Sequence, residues 1–233
     1  ANQSNIVGVI NFNDYLKVHN TNNLLLYHYS IEDQNIKLLL KLKFKKRIIY
    51  YHGITPPKFF PPGSKLSNSC KKGLSDINLL LDFDLYIANS SASKNQFLDN
   101  FNQNLINHDK FIIMPPIDIF ADSKKSNKST SLKPELNFYY CGTLICHKNV
   151  NCLLEIFNKN INNELKLSIF TSSPKEDISK FLNKKKYMEY QKNGIKFFHK
   201  LEDKELIDNF QRMNCFITLS SHEGFCIPLF DAI

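Results

Sequence analysis

Two runs of strand-like and helix-like segments, separated by a polar stretch, predict an α/β protein built as two Rossmann-like lobes. Three observations carry this expectation. Continuous apolar runs of four to six residues recur, as parallel strands covered on both faces require. Longer amphipathic stretches lie between them. The segment Ala121 to Asn137, rich in Ser, Lys, Asn and Thr and almost free of apolar residues, interrupts the alternation and reads as a linker. The expected division is an N-terminal lobe over 1–120, a linker over 121–137 and a C-terminal lobe over 138–233.

In the first lobe, Leu24 to Tyr29 reads as a strand, and Ile36 to Lys45 carries apolar residues at helical spacing. Arg47 to Tyr51 is the next strand. A Pro-rich loop and a helical stretch reaching about Leu81 follow. Leu85 to Ala88 is a strand, Ser90 or Ser91 opens a helix, and Phe111 to Met114 is a further strand. After the linker, Phe138 to Cys141, Leu165 to Phe170, Ile195 to Phe198 and Cys215 to Leu219 read as strands. Asn149 to Asn158, Pro174 to Tyr190 and Asp203 to Arg212 read as helices. Right-handed crossovers then place the loops after each strand on one edge of each sheet.

With 42% apolar residues and 19 Phe, the chain has ample material for packed cores and is not a disordered sequence. Lys and Arg (30) outnumber Asp and Glu (22), a formal charge of +8. That excess suits an anionic partner, although a solvated surface in a Lys- and Asn-rich chain would look the same. The six cysteines have no CxxC pairing, and several fall in apolar stretches, as small core residues do. Cys141, Cys146, His147 and Cys152 are poor zinc ligands as a set, since Cys141 belongs to a strand and Cys152 to a helix; no metal site is expected. No secretory leader is visible and no apolar run approaches eighteen residues, so a reduced, cytoplasmic protein is expected. No Walker loop, HExxH or GxSxG occurs.

The segment from Ser220 to Ala232 is the most suggestive. It leaves a strand end and enters a helix-like run, so free backbone amides and a helix start would form an anion site. Gly224 would allow a diphosphate to approach closely, and Glu223 beside it suits sugar hydroxyls. An ordinary glycine turn with a Glu cap and an early proline has the same spacing. Asp82-Phe83-Asp84 mimics a metal-gripping DxD, yet it precedes a strand and reads as a polar strand entry. His28, at a strand end, suits either an acceptor contact or an edge position. Lys184 to Lys186 and Lys41 to Arg47 are charge runs; Leu42 and Phe44 within the latter permit a peripheral membrane contact.

Glu223-Gly224-Phe225-x-x-Pro228 with an acid at Asp231 resembles the E-G-F-G-x-P-x-x-E-A signature of family 4 glycosyltransferases, which have the GT-B fold. Tyr140 to Val150 is similar to that family's V-G-R-x-x-x-x-K-N stretch. Ile195 to Leu201 before Asp203 to Leu206 resembles its strand, loop and helix beside the nucleobase. Tyr50 to Pro56 is similar to the "HNITP" loop, and Ile87 to Lys94 to the "aNS-x-x-s-k" turn, of bacterial members that extend surface polysaccharides. These motifs occur in the family's order and span roughly residues 24 to 233.

The resemblance implies a retaining, metal-independent transfer of a hexose from a UDP-, GDP- or ADP-sugar to a glycan or lipid-linked acceptor. It implies no cofactor besides the donor. Lys148 would face the donor diphosphate, Glu223 the sugar hydroxyls and His52 the acceptor side. Gly142, Thr143, Leu201, Gly224, Phe225, Cys226 and Asp231 would bind the donor, the last through its ribose. Thr143 stands where the family has Arg, Asp231 is one methylene shorter than the usual Glu, and Cys226 replaces a Gly. The resemblance also implies further β-α units beyond Ile233 and a Gly-rich loop after the first strand, which the lone Gly8 does not supply. A catalytically silent module that binds a nucleotide or a partner enzyme is the alternative those departures suggest. Charge alone suggests nucleic acid, but nothing resembles a nucleic-acid-binding module.

Overall fold

The computed structural model describes residues 10–101, 108–116, 136–159 and 165–232. The expected linker lies outside the described residues up to position 135, and so does Gly8. The chain forms two compact units, one of Ala1–Pro56 with Asn68–Pro115, the other of Pro57–Ser67 with Pro116–Ile233.

The first unit begins with α1 (Phe12–Val18), which the sequence reading did not anticipate; the Asn11 side chain caps it by accepting from the Asp14 amide. Then follow β1 (Leu24–Tyr29), α2 (Ile36–Lys41), β2 (Lys46–Tyr51), α3 (Lys65–Asp76, entered from the other unit), β3 (Leu85–Ala88), α4 (Ser91–Asp99) and β4 (Phe111–Ile113). The strands pair in parallel in the order β1-β2-β3-β4. Ser90 caps α4, accepting from the Ser93 amide. Helix α2 stops at Lys41, short of the expected Lys45, because Leu42 adopts extended backbone.

Large aromatic residues fill this core. Tyr51 meets Phe97 edge-on at 5.1 Å, and Tyr86 stacks on Phe111 at 4.9 Å. Their hydroxyls are satisfied, Tyr29 donating to the Gly73 carbonyl at 2.7 Å and Tyr86 to the Leu81 carbonyl at 2.6 Å. Burial pushes these phenols above their ordinary pKa. At the foot of the sheet the Asp84 carboxylate accepts from the Arg47 amide at 2.8 Å and from Lys46 Nζ at 2.9 Å. Asp84 is thus the polar strand entry expected, and those bonds hold its pKa below the ordinary carboxylate value.

The second unit contains β5 (Leu136–Cys141), α5 (Val150–Lys159), β6 (Leu165–Thr171), α6 (Lys175–Leu182), α7 (Lys184–Lys192), β7 (Lys196–His199), α8 (Asp203–Phe210), β8 (Cys215–Phe216) and α9 (Ile227–Phe230). All four strands are parallel, in the order β7-β6-β5-β8. Strand β5 begins two residues earlier than expected. Cys141 in β5 and Cys152 in α5 occupy the elements the sequence assigned them. The helix expected over Pro174 to Tyr190 is two helices. Asn183 breaks it at φ 54°, and its side chain caps α7 by accepting from the Lys186 amide at 3.0 Å.

Both faces of this sheet are covered, as the continuous apolar runs require. Leu167 and Ile169 of β6 join Leu153, Leu154 and Ile178 of the flanking helices in one core. On the other face Phe170 stacks on Phe198 at 4.7 Å and meets Phe210 edge-on at 5.2 Å. Full burial of each such side chain contributes about 1.5–3 kcal/mol.

Candidate functional site

Strand order places the site. The chain runs from β5 to β6 to β7 in one direction, then returns to put β8 on the other side of β5. The loops leaving β5 and β8 therefore start from neighbouring strand ends at the carboxyl edge of the parallel sheet, the edge at which such sheets bind ligands. The loop after β5 carries Gly142 to Asn149; the loop after β8 carries Ile217 to Cys226.

These loops are tied together. The Ser221 amide donates to the His147 carbonyl at 2.8 Å. The Asn149 side-chain amide donates to the Leu219 carbonyl and to Ser221 Oγ, both at 2.8 Å. Asn149 sits at φ 51°, a conformation asparagine tolerates better than most residues, and its amide closes a 3₁₀ turn over Cys146–Lys148. That turn aims Lys148 at the other loop. Its Nζ donates to Glu223 Oε2 at 2.6 Å, with only 16% of the lysine and 29% of the glutamate side chain exposed. Lys148 and Glu223, assigned separate roles from the sequence, are direct partners. A cation is thereby held beside the turn at Gly224.

Past Glu223, Cys226 adopts φ 63° and ψ 60° and precedes α9. A side chain there carries strain that a glycine would avoid, typically about 1–2 kcal/mol. Phe225 stacks on Phe230 at 4.4 Å. Helix α9 as described is one turn, so its dipole contributes little and the expected helix-start site reduces to backbone amides. Asp231 lies at the end of that turn, its amide donating to the Ile227 carbonyl at 3.1 Å. With burial as the main cause and the Asp231 carboxylate adding to it, the Cys141 thiol is pushed up to about 11 and stays protonated.

A cavity of about 250 Å³ opens at the ends of β5, β6 and β7, lined mainly by apolar atoms of Gly142, Thr143, Phe170, Phe198, Lys200 and Leu201. Gly142, Thr143 and Leu201, three of the expected donor residues, thus line one cavity. Gly142 has φ 155°, and a Cβ there would come within 2.7 Å of the Tyr140 hydroxyl, which donates to the Thr143 carbonyl at 3.0 Å.

Two histidines flank the ion pair, and sequence reasoning gave neither a role in it. His147 and His222 lie with ring centroids 6.2 Å apart. Phe59, from the Pro57–Ser67 segment of this unit, packs against His147 at 5.6 Å and His222 at 5.9 Å. Burial, then the Lys148 charge, holds both histidines below their ordinary pKa, so both are neutral at neutral pH.

His52 belongs to the first unit. Its Nε2 lies 2.9 Å from His28 Nδ1, and both rings pack on Tyr50. Burial and His28 hold its pKa below the ordinary value. The loop that follows is braced by the Ile87–Lys94 turn and by α4: Asn89 Nδ2 donates to the His52 carbonyl at 3.0 Å, and Gln96 bonds both the amide and the carbonyl of Ile54. Among the described residues no cluster of three or more His, Cys, Asp or Glu could hold a metal ion.

Residues 122–233 match the family described as glycosyl transferases group 1. Three solved structures resemble the chain as a whole. Sucrose-phosphate synthase from Thermosynechococcus elongatus has a TM-score of 0.61 at 14% identity, covering 90% of this chain and 53% of its own. TarM of S. aureus, in complex with Fondaparinux, alpha-GlcNAc-glycerol and UDP, has a TM-score of 0.62 at 12% identity, covering 94% of this chain and 41% of its own. The pneumococcal O-GlcNAc transferase GtfA, in complex with UDP and GlcNAc, has a TM-score of 0.60 at 12% identity, covering 94% and 42%. The fold is GT-B. Two parallel four-stranded sheets with covering helices are therefore GT-B lobes, as the motifs implied, and the chain spans about half or less of these neighbours' lengths. No curated protein matches it in sequence.

Proposed function

We propose that this GT-B chain is part of a retaining, metal-independent glycosyltransferase that moves a hexose from a nucleoside-diphosphate sugar to a glycan or lipid-linked acceptor. The observation that carries the reading is the Lys148–Glu223 contact at 2.6 Å, which holds one cation at the turn leading to Gly224. When the anomeric C–O bond breaks, its electron pair leaves with the diphosphate. Lys148 would offset that growing charge, and the amides of Phe225 and Cys226 would meet phosphate oxygens. Glu223 would orient sugar hydroxyls, Asp231 the ribose, and the cavity beside Gly142, Thr143 and Leu201 would take the base. His52, with His28 behind it, would serve the acceptor side.

The UDP in the TarM and GtfA structures supports a uridine donor. Retention of configuration rests on the motif resemblance. No helix of the described residues is long and apolar enough to cross a membrane. A lipid-linked acceptor would bring the protein to a membrane surface, where exposed Lys41, Lys43 and Lys45 suit anionic headgroups. Phe44 packs edge-on against His19 at 4.9 Å and is less available for insertion than its sequence context suggested.

The test is a thermal-shift panel of UDP-, GDP- and ADP-sugars, followed by transfer or hydrolysis assays of the responding donor. A donor at a hundred times its Kd stabilises the protein by about 2.7 kcal/mol. Lys148→Ala is expected to lower turnover about 10²- to 10³-fold. Turnover equal to that of the parent would reject the role given to Lys148.

A further inference from the structure

We propose that Lys58, carried by the Pro57–Phe60 strap, is a second cationic contact for the donor diphosphate. This rests on the donor-site reading above and adds a residue from a segment that no motif marks.

Charge balance motivates it. A sugar nucleotide brings two negative charges on its diphosphate, whereas Lys148 brings one positive charge that Glu223 already balances at 2.6 Å. The neighbouring His147 and His222 are held neutral by burial. Ion pair and histidines together therefore supply no net positive charge, and a dianion settling there needs a further cation.

The strap offers one. Pro57–Phe59 forms a 3₁₀ turn within the second unit, held by the Ser67 hydroxyl donating to the Pro57 carbonyl at 3.3 Å. Phe59 packs against both His147 and His222, the residues immediately before Lys148 and Glu223. Phe60 closes the other side of His147, edge-on at 5.9 Å. The rings fix the strap beside the ion pair, and Lys58 Nζ lies 5.4 Å from the Phe59 centroid. Lys58 is exposed and forms no ion pair among the described residues. Its field is felt at His222, where it adds to burial and Lys148 in disfavouring protonation. An ammonium on a four-carbon stem, already near the loop and uncommitted to a carboxylate, can swing onto a phosphate oxygen with little loss elsewhere.

The experiment is calorimetric titration of the chain with UDP and, separately, with uridine, for the parent protein, Lys58→Gln and Lys58→Arg. Lys58→Gln should weaken UDP binding about ten-fold, the scale of one charge-assisted contact. Uridine binding should be unchanged, and Lys58→Arg should recover most of the UDP affinity. Raising salt should weaken UDP binding less steeply in Lys58→Gln than in the parent. If Lys58→Gln binds UDP as the parent does, while the parent still prefers UDP over uridine, the assignment of Lys58 falls and the donor site stands. If UDP and uridine lose affinity equally, Lys58 acts only through the strap's structure and the assignment is again overturned. A parent protein with no preference for UDP over uridine would remove both proposals together.

Discussion

Breaking the Lys148–Glu223 pair should destabilise the protein, and the two residues should do so together rather than independently. At 2.6 Å the Coulomb attraction is about 6 kcal/mol at an effective dielectric of about 20. With 16% of the lysine and 29% of the glutamate side chain in solvent, desolvation and screening cancel most of this. A net coupling of about 1–2 kcal/mol remains. Lys148→Met strands a half-buried carboxylate and should cost about 1–3 kcal/mol; Glu223→Gln, which strands the ammonium, should cost a similar amount. The double variant should be less destabilised than the sum of the singles by the coupling. The assay is thermal and urea denaturation of all four proteins without ligand, where each kcal/mol moves Tm by about 2–4 °C at this chain length. Single effects that add to within about 0.3 kcal/mol would refute the reasoning, because uncoupled residues cannot be holding one another in place.

Other outcomes follow from the same geometry. Cys226→Gly removes a side chain from φ 63° and should stabilise the protein by about 0.5–1 kcal/mol after glycine's entropy is counted; a lower Tm would contradict the strain. Gly142→Ala drives a methyl group toward the Tyr140 hydroxyl, threatens its bond to the Thr143 carbonyl and should cost about 1–3 kcal/mol in denaturant unfolding. His52, His147 and His222 have folded-state pKa values below the unfolded value, so below about pH 6.5 the unfolded chain binds more protons than the native one. Tm should therefore be level above neutrality and fall as pH drops through that range. His222→Asn should make the fall shallower, and a Tm profile flat from pH 8 to 5 would contradict the assigned shifts.

Much of the architecture was legible because burial on both faces leaves a simple trace. Strands such as Leu165–Thr171 are buried on both faces, α5 and α6 covering one side and α8 the other, so they read as mainly apolar runs in which Ser168 is a buried exception. Helix ends were less legible. Asn183 breaks the Lys175–Lys192 stretch by taking φ 54°, and the only local sign of it in Leu-Asn-Lys-Lys-Lys is the asparagine itself, a residue suited to positive φ and to capping but common on solvent-facing helices too. Cys226 likewise holds a left-handed conformation for which cysteine has no special aptitude, so only the glycine at that place in the signature the segment resembles hinted at it. At the site, the spacing of Lys148 and Glu223 could not show that they pair, because the contact depends on β8 returning beside β5. Phe59 and Phe60 carried no signal at all. Their contact with His147 and His222 joins residues nearly ninety or more positions apart, and no local periodicity encodes it.

The central claim, that Lys148 and the turn at Gly224 grip a diphosphate, is tested most directly by ³¹P NMR of UDP titrated with the parent protein and with Lys148→Ala. The account predicts that the β-phosphorus resonance shifts on binding and its titration moves to lower pH, as a nearby ammonium requires, with both changes largely lost in the variant. Binding that perturbs only the uracil and ribose protons, or a β-phosphorus response that survives in Lys148→Ala, would contradict it.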